Sequence, residues 1–204
     1  MNTPAAPQNA DDYQQIHDGI IHLVDCARTE IVRSVNALMT ATYWEIGRRI
    51  VEFEQGGETR AAYGEQLIDR LSQDLSQRYK RGFSTRILWQ IRTFYIYFQH
   101  IEIPQTVSAE SKYLIQLAKF FPLPWSAYVR LLSVKSPDAR SFYEKETLRC
   151  GWSVRQLDRQ IATQFYERTL LSRDKTAMLQ QAAPAAAEVT PEQAIRDPFI
   201  LEFL

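Results

Sequence analysis

Residues 13–54 keep an apolar or near-apolar side chain at mostly three- or four-residue steps and contain no proline. Ile16, Ile20, Leu23, Ala27, Ile31, Leu38, Thr42, Ile46, Ile50 and Phe53 carry the pattern, which is the period of an α-helix. Gly56-Gly57 ends it. A helix of that length exceeds what a compact domain in a 204-residue chain needs. The pattern therefore predicts either a break near residues 34–36 or an extension that packs on a partner.

The rest of the chain repeats the helical period in shorter pieces. Leu67, Ile68, Leu71 and Leu75 share one face of a helix over about 62–79. Ser84 is a natural N-cap for a helix over 84–98, since its hydroxyl can accept an orphan backbone N–H. A fourth helix is expected over about 108–121, stopped by Pro122, and a short one from Pro124-Trp125-Ser126 through Leu132. Ser136-Pro137-Asp138 combines an N-cap, a proline at the first helical position and an acid in the first turn. Gly151 reads as the C′ residue of that helix. Ser153 and Gln156 fit a capping box opening a helix over 153–171. A last helix spans about 173–181. No strand pattern emerges, and the expected fold is all-α. Residues 1–12 read as a disordered tail and 182–196 as a low-complexity linker.

Charge is neutral overall but unevenly spread. Residues 11–75 hold twelve acidic and six basic side chains; residues 76–100 hold none and five. Zero net charge argues against wholesale wrapping of nucleic acid and leaves room for a local basic face. Cys26 and Cys150 are too few for a disulfide scaffold and lack metal spacing, so both are expected to be reduced thiols, buried or at helix ends, in a cytoplasmic protein. The N-terminus lacks the features of a secretion signal, and no apolar run approaches the roughly 20 residues that span a bilayer.

The five basic residues of the acid-free window are Arg78, Lys80, Arg81, Arg86 and Arg92, interleaved with Phe83, Trp89, Phe94, Tyr95, Tyr97 and Phe98. Two helices joined by a short glycine-containing turn fit a helix-turn-helix layout. In that reading Thr85, Arg86 and Trp89 sit at the start of the recognition helix. Arg78, Lys80 and Arg81 meet phosphates, and Arg92 reaches either phosphate or base. Ile87, Leu88, Ile91 and Tyr95 pack inward. The competing reading is a core helix whose arginines reach solvent.

Arg155 and Arg159, four apart, form a second candidate set, to be weighed against a solvated, ion-paired face. Arg140 reads as a partner for Glu144 at i,i+4. Trp44, Trp125 and Trp152 read as core. Glu45 and Glu52 read as a solvated stripe. His17, His22 and His100 form no metal pattern, and no catalytic set assembles from the spacing.

Four blocks carry a resemblance: VNALMTATYWEIGRRIVEFEQ, YGEQLIDRLSQDLSQRYKRGFSTRILWQIRTFY, LPWSAYVRLLSVKSPDARSFYEKETLRCGWSVRQLDRQIATQFYERTLLSRDK and DPFILEFL. In this order they resemble the YhcG family over about residues 13–204. The resemblance implies an N-terminal helical DNA-binding-type domain, here 13–181, followed by a PD-(D/E)xK nuclease domain that residues 197–204 begin. The family's catalytic acids and lysine are expected beyond residue 204, so no catalytic or metal-binding residue maps onto this chain. Mg²⁺ is expected only for that second domain, and no cofactor for this one. DNA is the expected partner; no membrane or small-molecule substrate is indicated. The alternative reading is a dimerisation or protein-interaction scaffold, a homo-oligomer built on the long helix.

Overall fold

The computed structural model describes residues 8–55, 64–101 and 110–181. Among these the chain is all-α, with nine helices. Gly56-Gly57, the whole of the expected linker at 182–196 and residues 197–204 lie outside them, as do residues 1–7 of the expected tail. Residues 8–12 of that tail already belong to the first helix.

Helix α1 spans Gln8–Gln55 without interruption. At 1.5 Å per residue its 48 residues reach about 70 Å. The expected break near 34–36 does not occur; Asn36 sits inside the helix with its amide donating to the Val32 carbonyl at 3.1 Å. Helix α2 is Gly64–Tyr79, α3 Thr85–Tyr97, α4 Glu110–Ala118 and α5 Trp125–Leu131. Then follow α6 Pro137–Cys150, α7 Val154–Ala162, α8 Phe165–Leu171 and α9 Lys175–Gln181.

The caps explain most of these boundaries. Ser84 accepts from Ile87 N–H and Ser136 from Ala139 N–H, each fixing the first turn of its helix. Gly151 adopts φ +64°, and Trp152 N–H returns to the Thr147 carbonyl at 3.1 Å, a Schellman-type end. Ser153 and Gln156 form the reciprocal capping box. Residues 153–171, expected as one helix, are two. The break falls at Gln164, a non-glycine residue in the left-handed region at φ +52°. Arg168 stabilises it by donating from Nε to the Thr163 carbonyl at 2.9 Å. That carbonyl is one of the acceptors left over at the end of α7.

The core lies where the second half of α1 crosses α3 and α4, with α5 beneath. Phe94 of α3 is its centre. Its ring lies 5.2 Å from Phe121, 5.2 Å from Trp125 and 5.1 Å from Tyr128, in tilted or edge-on arrangements. Such pairs add about 0.5–1.5 kcal/mol each to their burial. Trp44, Trp125 and Trp152 are buried, as their setting in the sequence predicted. Trp44 Nε1 donates to the Phe98 carbonyl at 2.9 Å, tying α1 to the end of α3. The crossing of α1 and α3 is close enough that only a glycine fits. A Cβ on Gly47 would stand 2.5 Å from the Ile91 carbonyl oxygen and 2.8 Å from Tyr95 Cβ.

Candidate nucleic-acid interface

Two helices and one tight turn build the basic surface. Helix α2 ends at Tyr79, and Lys80 takes the left-handed conformation at φ +67°. Its N–H bonds the Ser76 carbonyl at 2.8 Å, closing the helix. Gly82, at φ +87°, continues a reversal that β-branched or bulky residues resist. Phe83 then packs on Tyr79, ring centroids 5.5 Å apart, and Ser84 starts α3.

Around this turn Arg78, Lys80, Arg81 and Arg86 are all exposed. No carboxylate among the described residues forms a salt bridge with any of them. The Arg78 guanidinium lies 5.6 Å over the Tyr79 ring, which orients it without neutralising it. Leu88 and Ile91 are fully buried, with Ile87 and Tyr95 partly buried against the same core. That anchoring turns Arg86 and Trp89 outward, and Trp89 is 37% exposed.

Two of the candidate residues are engaged within the molecule. Thr85 Oγ1 donates to Asp69 Oδ1 at 3.3 Å, so an acid borders the first turn of α3. Arg92, 28% exposed, donates to both oxygens of Glu54, from Nε at 3.0 and 2.9 Å. Its guanidinium also lies 5.4 Å over the Trp89 ring. Arg92 ties α3 to the end of α1.

Arg155 and Arg159 are exposed on α7, a turn apart. Asp158 between them is drawn to Arg130 of α5 at 3.6 Å, which leaves the two arginines without a salt-bridge partner among the described residues. Helix α7 packs on α5, α6 and α8, whereas α2 packs on α3. The two basic sets therefore lie on different helices, of which α3 and α7 share α5 as a neighbour.

Several expectations change once side chains are placed. Glu45 is not part of a solvated stripe but is buried at the joint of α1 and α4. Arg48 donates to it at 2.8 and 2.6 Å, Arg49 at 2.9 Å and Tyr113 at 3.1 Å. Arg48 also bridges to Glu52 at 2.6 Å, and Arg49 to Glu110 of α4. Burial alone pushes the Glu45 carboxyl up, but the donors, Arg48 first, outweigh it and hold it below the usual carboxylate value. The same site raises the Tyr113 phenol to about 12, through burial first and then the Glu45 charge.

Arg140 does not pair with Glu144. It is 6% exposed, donates to the Val134 carbonyl at 2.9 Å and lies 3.8 Å over the Tyr97 ring. Glu144 accepts from Tyr128 instead, at 3.1 Å. Cys150 sits at the end of α6, but Cys26 is neither buried nor terminal. It is an exposed free thiol within α1, its Sγ 3.5 Å from His22 Nε2. The Glu45 network was missed by sequence reasoning, although E-x-x-R-R-x-x-E at 45–52 carries its i,i+3 and i,i+4 signal. Nothing in the sequence points to Tyr113.

Among the described residues no three His, Cys, Asp or Glu side chains converge as a metal set, and no helix is long and apolar enough to cross a membrane.

The chain matches the DUF1016 N-terminal domain over residues 19–168. It is 72% identical to the Escherichia coli (strain K12) protein named "Putative nuclease YhcG", a match covering 94% of this chain and 56% of that protein. The chain thus spans little more than half the length of this curated relative. No solved structure matches it.

Proposed function

The chain belongs to the YhcG family, matched as its DUF1016 N-terminal domain, and from that membership we propose that it is a DNA-docking module. In this reading α2, the turn and α3 act as a helix-turn-helix. The start of α3 enters the major groove, with Arg86, Trp89 and Thr85 toward base edges. Arg78, Lys80 and Arg81 engage phosphates, which supply most of the affinity and set the register.

One observation carries the reading. Arg78, Lys80, Arg81 and Arg86 surround a single turn, all exposed, with no carboxylate salt bridge among the described residues. Elsewhere Arg48, Arg49, Arg92 and Arg149 each meet a glutamate. The positive charge that is matched holds the fold; the charge at the turn is left for an outside anion. Arg92 acts from behind, by fixing α3 against α1. Arg155 and Arg159 form a separate surface, secondary to the turn. Cleavage, in this reading, belongs to the part of the longer family proteins beyond residue 204, with Mg²⁺; no residue of this chain is assigned to that chemistry.

The test is a salt titration of binding to a fluorescent duplex, with a branched DNA and a single strand alongside. Each phosphate neutralised contributes roughly −0.9 to the slope of log K against log salt. The double variant Arg81→Ala/Arg86→Ala should weaken binding and flatten that slope by about two contacts' worth. Arg155→Ala/Arg159→Ala should change it less. Unchanged affinity in folded Arg81→Ala/Arg86→Ala protein would remove the turn as the site.

A further inference from the structure

The first part of α1 has an apolar face with nothing against it among the described residues. Tyr13, Ile16, Ile20, Leu23, Val24 and Ile31 are all exposed, Ile16 to 61% and Leu23 to 69%. At about 100° per residue they fall within one stripe roughly 100° wide. Nearer the body, the helix buries its other side. Asn36, Thr40, Tyr43 and Gly47 are buried, and they point about 140–180° away from the direction of Ile20. On the arm that other side is polar, carrying Asp18, His22, Asp25 and Thr29.

Between residues 31 and 36 α1 therefore gains a second buried side, opposite the stripe that the arm leaves exposed. A helix that served only to cover this body would carry one stripe throughout. The outward stripe continues to Leu38, 38% exposed, and is taken over farther along by α4, whose Tyr113 meets Glu45. The exposed apolar part is on the order of 500 Å² per chain, toward the upper end of the largest apolar patch usual on a monomer. Pairing two such faces would bury about 1,000 Å², the least that a specific interface needs.

Charge narrows the occupant. Asp18, Asp25 and Glu30 are offset by Arg28 and Arg33, so residues 13–34 present no field of one sign. A strongly acidic or basic partner finds little to complement, while a second copy meets little net repulsion. A two-fold contact also needs only one self-complementary patch. We propose that this arm pairs with the same arm of a second copy of the chain, forming a two-helix seam. The proposal does not depend on the DNA reading.

Sedimentation velocity or light-scattering mass of the 204-residue chain across the micromolar range tests it. The expected result is a reversible dimer, twice the chain's 23.7 kDa. Ile20→Glu/Leu23→Glu should return it to monomer with the helical signal and thermal transition of the body kept. His22→Glu, on the opposite side of the helix, should remain dimeric. A wild-type monomer at every concentration overturns the proposal, as does a dimer that survives Ile20→Glu/Leu23→Glu. A monomer in which Ile20→Cys resists alkylation assigns the stripe to another segment of the same chain, and overturns it too. Should the glutamate pair disturb the body, Ile20→Ala/Leu23→Ala decides: dimer weakening of at least tenfold supports the seam, and no change refutes it.

Discussion

Asp69 is an acid at the basic turn's working end, bonded to Thr85 in the first turn of α3. It suits the helix dipole, but it would face a phosphate or base edge brought to the same place. Asp69→Asn should therefore raise duplex affinity by a few-fold at low salt, with the gain shrinking as salt is added. A titration in which Asp69→Asn leaves affinity unchanged would argue that DNA does not approach this end of α3. Glu144 offers a second reading at the same scale. Burial raises its carboxyl above the ordinary value of 4.5. The folded state thus holds its proton more tightly than the unfolded chain does. The stability it contributes is complete below about pH 4.5 and is lost as pH rises through the raised value. Glu144→Gln keeps an acceptor for Tyr128 and should stabilise the protein at pH 7, with little effect at pH 4. Urea melts at the two pH values check it. Glu45 has the opposite sign: its contribution is present above its unfolded value and lost as pH falls through the depressed one.

At the scale of elements, the crossing of α1 and α3 depends on one missing methyl group. Gly47→Ala gains helix propensity of up to about 1 kcal/mol, yet the new Cβ would overlap backbone, at 2.5 Å from the Ile91 carbonyl oxygen. Backbone cannot step aside as a side-chain tip can, so a net loss of about 1–3 kcal/mol is expected in thermal or urea unfolding. The sequence made most helix ends readable because local chemistry makes them. Ser84, Ser136-Pro137, Gly151 and the Ser153/Gln156 pair act within a turn of their own position. The break at Gln164 was not readable, because no glycine or proline marks it. A left-handed glutamine is held there by an arginine four residues on. The buried roles of Glu45 and Arg140 were hidden for a related reason. Both are completed by partners distant in sequence or by an aromatic face, Tyr113 for one and Tyr97 for the other. Of the candidate interface, the exposed cations around the turn could be read from their run. That Arg92 belongs to Glu54 could not, since 38 residues separate them.

For the whole molecule, neutral net charge and a local basic turn are compatible because the glutamates sit beside the arginines that build the joints. A chain that matches its internal charges this way can expose a few cations without precipitating on every polyanion it meets. The uninterrupted course of α1 has a consequence of its own. Because one continuous helix runs from Gln8 to Gln55, the azimuth of the arm relative to the body is set by residue count. One residue inserted between 31 and 36 would swing the stripe by about 100°, whereas seven would restore its heading to within about 20° and lengthen the reach by about 10 Å. Cryo-EM or crosslinking of the assembled chain should therefore show the angle between two bodies cycling with insertion length while their separation climbs steadily. α1 would then be a phase-keeping shaft, in which spacing and orientation can be tuned as two separate variables.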